Sequence, residues 1–150
     1  MLTPNDIIGA VNGKLVEKYP DDFIYINLLP KDFERPSFLI ELISFNRTDA
    51  NRTTIEVEAS VSVTCYTEID GHYNSDTEKL ATRQSEVMEL FAGGYLEVCD
   101  RCISVESVMG GVEFTEGYVD LAFDYFDERP MPGVALPDIE SVKTNIIKED

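Results

Sequence analysis

From Thr53 to Cys65 the chain alternates almost without a break. Ile55, Val57, Ala59, Val61, Val63 and Cys65 fall on one side; Glu56, Glu58, Ser60, Ser62 and Thr64 fall on the other. Side chains of a strand point to opposite faces in turn, so this pattern predicts a strand with one dry face and one wet, acidic face. It is roughly twice the common strand length of about 5–6 residues. The nearly unbroken apolar run Phe38 to Phe45 precedes it and predicts a strand covered on both faces, with Asn46 to Arg52 as a polar turn. The two form a long hairpin whose tip carries Arg47 and Arg52.

Helical spacing appears twice. Thr3 and Pro4 provide an N-cap and a first-turn proline, and Ile7, Ile8, Val11 and Leu15 form a stripe that ends by Tyr19-Pro20. Gly9 and Gly13 each cost about 1 kcal/mol relative to alanine inside a helix, so this helix needs a surface to dock on. Glycines four residues apart either admit a close neighbour or are tolerated weak points. Ser75-Asp76-Thr77-Glu78 has capping-box spacing and opens a second helix, with Leu80, Ala81, Val87, Met88 and Phe91 on one stripe and Gly93-Gly94 as its stop.

The remaining segments predict strands. Phe23 to Leu28 is short and is followed by a loop between Pro30 and Pro36. Tyr95 to Val98 and Ile103 to Phe114 follow the second helix, with Gly110-Gly111 marking a turn or bulge. After Thr115-Glu116-Gly117, Tyr118 to Phe126 alternates again. Val119, Leu121, Phe123 and Tyr125 oppose Tyr118, Asp120, Ala122, Asp124 and Phe126, a second face that is half aromatic and half acidic. Runs of consecutive strands predict an α+β domain: an antiparallel sheet with a long central hairpin and two helices packed on one face. From Arg129 the character changes. Pro130, Pro132, Gly133 and Pro137 interrupt regular structure before Ile139, Val142, Ile146 and Ile147. Residues 1–128 thus form a single domain, and 129–150 a proline-containing linker and C-terminal arm.

Charge narrows the function. Among 150 residues, 29 acids stand against 12 bases, a net charge of −17. Nucleic-acid affinity comes largely from Lys and Arg displacing counterions, so tight DNA or RNA binding is excluded, and attachment to anionic membranes is disfavoured on the same ground. No apolar run approaches the ~20 residues of a membrane span, and no signal-peptide pattern opens the chain, which points to a soluble cytoplasmic protein.

Candidate chemistry is sparse. Cys99 and Cys102 form a C-x-x-C, and with Cys65 and the single histidine, His72, they make four potential zinc ligands. Cys65 and His72 are a loose pair, however, and Cys65 occupies a core-facing slot, where a free cysteine packs as a small hydrophobe. His72 lies in a loop, and no phosphate-binding, metalloprotease or calcium-loop motif is present. Glu56 and Glu58, about 7 Å apart on one strand face, have neither the cleft nor the contrasting environments that a carboxylate pair needs for catalysis. These features describe a non-enzymatic chain without cofactors.

Several segments resemble one family, the tail-terminator proteins of long-tailed bacteriophages and phage-like tail particles. The opening helix followed by Tyr19-Pro20-Asp21 and Ile24-Tyr25 is similar to that family's start. Arg35-Pro36-Ser37-Phe38-Leu39-Ile40-Glu41-Leu42 resembles its proline-led approach to a strand. Val112 to Leu121, ending in Asp124-Tyr125-Phe126, resembles its closing hairpin. The likeness runs over residues 1–128, and the Cys99–Cys102 loop and the proline-rich tail depart from it. The resemblance implies a structural virion protein, assembled in the host bacterial cytoplasm, that forms a homohexameric ring, caps the tail tube and joins it to a neck or head-completion protein. Under that implication the contacts between copies fall on Glu56 and Glu58 of the hairpin and on Ile139, Val142, Ile146 and Ile147 of the arm. Two alternatives stand beside it: a head–tail connector or other tail subunit, and a small cytoplasmic metal- or ligand-binding domain using Cys65, His72, Cys99 and Cys102.

Overall fold

The computed structural model describes residues 1–69, 76–113 and 115–129. Their order is α1 (Pro4–Lys18), β1 (Phe23–Ile26), β2 (Ser37–Asp49), β3 (Thr54–Tyr66), α2 (Thr77–Leu90), β4 (Tyr95–Val98), β5 (Arg101–Val112) and β6 (Gly117–Glu128). The strands form one six-stranded sheet in the order β1-β2-β3-β6-β5-β4. The α+β class holds, but the sheet is mixed. β1 runs parallel to β2, and the other neighbours are antiparallel. The 10-residue connection after β1 carries the chain back to the start of β2, which a tight hairpin cannot do.

The N-cap of α1 is Thr3, whose hydroxyl accepts from the Asp6 amide at 3.2 Å, while the Asp6 carboxylate accepts from the Thr3 amide at 2.8 Å. This reciprocal pair satisfies two of the amides that a helix start leaves open. Ile7, Ile8, Val11 and Leu15 are buried. A Cβ on Gly9 or Gly13 would meet nothing within 4 Å, so these are tolerated weak points and not contacts. In α2 the cap is Asp76, and Leu80, Val87 and Phe91 are buried, whereas Ala81 is exposed. Ser75 lies outside the described residues.

Both helices cover one face of the sheet. The Ile55–Cys65 alternation delivers Ile55, Val57, Ala59, Val61, Val63 and Cys65 to that face, beside Val119, Leu121, Phe123 and Tyr125 of β6. β2 and β3 pair along nearly their whole length, from Ser37↔Tyr66 to Asp49↔Ile55. The hairpin is therefore longer than the apolar run of β2 predicts, because the polar residues Asn46 to Asp49 continue the ladder.

The opposite face is not uniformly wet. At its Cys65 end, Ser62, Thr64 and Tyr66 are buried along with Leu39 of β2. The connection between β1 and β2 folds over them. Phe33 stands 4.8 Å from the Tyr66 ring, Arg35 lies over both rings, and its guanidinium donates to the Thr67 carbonyl at 2.9 Å. Alternation records which side a residue faces. What covers that side comes from a segment far along the chain.

Gly110 and Gly111 lie inside β5, paired with Val119 and Tyr118, and mark neither a turn nor a bulge. The bulges fall between Leu42 and Ser44 in β2 and between Val105 and Ser107 in β5. They flank one row of small residues, Ser44, Ser60, Ala122 and Ser107, across four strands. A bulge adds an unpaired residue and increases local twist, so the exposed face is troughed along this row.

Candidate assembly surface

The uncovered half of the sheet is acidic. Register places Asp124 opposite Glu58 and Phe126 opposite Glu56, and one carboxylate oxygen each from Glu56, Glu58 and Asp124 lie within 4.8 Å of one another. Asp124 raises the Glu56 carboxyl above its ordinary range, first through a hydrogen bond that needs a proton and then by repulsion. Three converging oxygens can hold a hard cation or receive a cationic side chain. Alternation puts Asp124 on an acidic face of β6, but its meeting with Glu58, 66 positions away, follows only from the β3–β6 register.

Next to this cluster the trough becomes apolar. Ile43 and Met109, both well exposed, stand over Ser60, Ser107 and Ala122 around a depression of about 310 Å³. Phe126 is exposed nearby. The hairpin tip carries Arg47, Arg52 and Arg129. Arg129 pairs with Asp49 at 2.9 Å and donates to the Asn51 and Arg52 carbonyls at 2.7 and 3.0 Å, pinning the end of β6 to the turn.

The sheet has two interrupted edges. β1 pairs with β2 only over Ser37–Ile40, and β4 pairs with β5 only over Arg101–Ser104. Among the described residues, Ser44–Asp49 of β2 and Glu106–Val112 of β5 have no strand on their outer sides. Unpaired strand edges are templates for another chain.

The three thiols lie in different settings. Cys65 is buried on the helix-covered face, where burial pushes its thiol up to about 12, the opposite of what a metal-binding thiolate needs. Cys99 and Cys102 are exposed around the β4–β5 turn. Among the described residues these three do not meet in any cluster of metal-ligating side chains; His72 lies outside those residues. Ile139, Val142, Ile146 and Ile147 of the arm also lie outside them.

One buried carboxylate has a structural task. Asp127 accepts from the Leu2 amide at 2.8 Å and from its neighbour Glu128 at 2.9 Å, and pairs with Arg101 at 3.1 Å. Leu2 is thereby held in the core, next to the first turn of α1. Burial works to raise the Asp127 pKa; the two amides and Arg101 outweigh it and hold the carboxyl below its usual 3.8. A depressed pKa contributes stability that is present above the unfolded value and lost as pH falls through the folded one. Asp127→Asn should cost about 1–3 kcal/mol at pH 7, as expected for hydrogen bonds to a charged group. The difference from wild type should shrink below about pH 4. Thermal melts of both proteins from pH 7 to 3 measure this; a difference that does not change with pH would contradict it.

The family model described as phage tail terminator protein matches residues 6–128. The chain belongs to the phage tail terminator family. The match spans α1 through the last residue of β6 and fits a structural role in a phage tail. No curated protein matches the chain. Among solved structures, one chain 14% identical in sequence aligns over 88% of this chain and 99% of its own, with a TM-score of 0.47. For a tail terminator, the surfaces that matter are those able to meet other subunits, and the troughed acidic face and the two free half-edges are the candidates on this domain.

Proposed function

We propose that the protein assembles head-to-tail into a closed homohexameric ring that caps the tail tube, stops its polymerisation and offers a surface to the neck or head-completion protein. The observation that carries this is a pair of unlike half-edges, one on β2 and one on β5 at opposite sides of a single sheet, that have no partner strand among the described residues. A contact between two different surfaces of identical subunits generates a ring when the rotation closes. Membership of the tail terminator family supplies the setting, the end of a tail tube. In this reading residues 1–128 are the folded unit and 129–150 are the linker and arm that reach a neighbour through Ile139, Val142, Ile146 and Ile147. Glu56 and Glu58 of the hairpin lie at the joint. The ring works by shape and occupancy and carries out no catalysis. Its acid surfaces give DNA phosphates nothing to adhere to, which suits a passage for a genome. Assembly takes place in the host cytoplasm and ends in the virion tail.

Removal of residues 130–150 tests the division of labour. The truncated protein should keep its circular dichroism and cooperative melt while sedimenting as smaller species than the full chain at equal concentration. A truncated protein that assembles as well as the full chain would remove the arm from the joint.

A further inference from the structure

The free half of β5 is more than an edge. After Ser104 the partner strand ends, the Val105 amide donates to the Gly94 carbonyl at 2.9 Å, and from Glu106 onward β5 lies beside the C-terminal turns of α2. Between them runs a groove of about 480 Å³. Met88 and Ala92 of the helical side and Ser107 and Val108 of the strand line it, and Glu89 and Glu106 are exposed at its rim. Such a groove accepts an extended segment, which would take up the open backbone groups of β5 on one side, turn apolar side chains inward and bring positive charge to the rim.

This chain holds one segment of that description. Ser141 to Lys148 reads Ser-Val-Lys-Thr-Asn-Ile-Ile-Lys: two lysines and no acid, within a chain of net charge −17. Val142, Thr144, Ile146 and Ile147 are β-branched, the residue type that suits strands. The described chain ends at Arg129, whose amide donates to the Thr53 carbonyl at 2.9 Å. That end lies at the β2–β3 tip, past the last residue of β6, whereas the groove runs along Val105–Val108 of β5, opposite Leu121–Phe123 further back on β6. The intervening residues 130–140 span at most about 40 Å when extended, enough to cross from one subunit to the next.

We propose that residues 141–148 of one copy add as a strand to β5 of the next, in the groove against α2, with Lys143 and Lys148 facing Glu89 and Glu106. The inference rests on the ring reading and names the partner of its β5 side. It makes the joint an exchange of arms, in which each copy completes the sheet edge of its neighbour.

Cysteine linking of the full chain tests it. In a background with Cys99→Ser and Cys102→Ser, one protein carries Ile146→Cys and a second carries Ala92→Cys in the groove. A third carries Lys18→Cys, exposed at the end of α1, as a reference position. On mild oxidation of mixtures, the Ile146→Cys and Ala92→Cys proteins should yield a disulfide-linked dimer at least fivefold faster than the Ile146→Cys and Lys18→Cys proteins. Changing Lys143 and Lys148 to Glu should slow that linkage severalfold. Equal rates at Ala92 and Lys18 would overturn the proposal. So would a protein carrying both Ile146→Cys and Ala92→Cys that links only within its own chain, because the arm would then fill its own groove. Sedimentation of the unmodified protein separates this from the ring itself: a hexamer without preferential linkage leaves the ring standing and removes the arm from the groove.

Discussion

Val61→Asp should abolish the folded state, whereas Glu58→Lys should leave it intact. Val61 is fully buried at the centre of β3, between Leu42 of β2 and Leu121 of β6, on the face covered by both helices. A carboxylate there has no partner, and an unpaired buried charge costs several kcal/mol even after its pKa adjusts. That is comparable to the whole stability of a domain, about 5–15 kcal/mol. Glu58 lies three residues away on the exposed face, beside two other carboxylates, so a lysine there relieves repulsion. Circular dichroism and chemical denaturation of the two variants decide the matter. Equal tolerance would mean that the register of β3 is wrong.

Gly110→Ala should cost about 1–3 kcal/mol, the usual range for forcing atoms into a packed site, and lower the melting temperature by several degrees. A Cβ at Gly110 would press into the Tyr118 carbonyl and stand 2.5 Å from the Gln84 side-chain nitrogen. The first is backbone in the paired strand and cannot swing away. Gly111→Ala provides the contrast. Its Cβ would meet the Tyr118 hydroxyl at 3.0 Å, the free end of a side chain, so the loss should stay under about 1 kcal/mol. Melts of the two variants compare them directly, and equal losses would mean that backbone freedom, not the close approach of β6, selects these glycines.

Those glycines also show where sequence reading falls short. A Gly-Gly pair within a strand-like run signals a turn as readily as a tight crossing, and the difference lies in Tyr118 and Gln84, which only the folded sheet brings near. The two long alternating strands were legible because period-two patterning requires no knowledge of partners, and the capping of α1 by Thr3 because Pro4 follows it directly. The parallel placement of β1 was not, since a four-residue strand carries no mark of direction. Nor was the covering of Thr64 and Tyr66, which depends on Phe33 and Arg35 more than 25 positions earlier in the chain. The candidate surface follows the same rule. Glu56, Glu58 and Asp124 each announce themselves by alternation, whereas their convergence and the β5 groove exist only once β6 and α2 have found their places.

The ring itself is tested most directly by the mass of the unmodified full-length protein in solution, measured by sedimentation velocity across concentration and salt. A closed species six times the 16.9 kDa of the chain is expected. Its population should rise from low to moderate salt, because screening weakens the repulsion between subunits that each carry −17. A strict monomer at high concentration and moderate salt would contradict it.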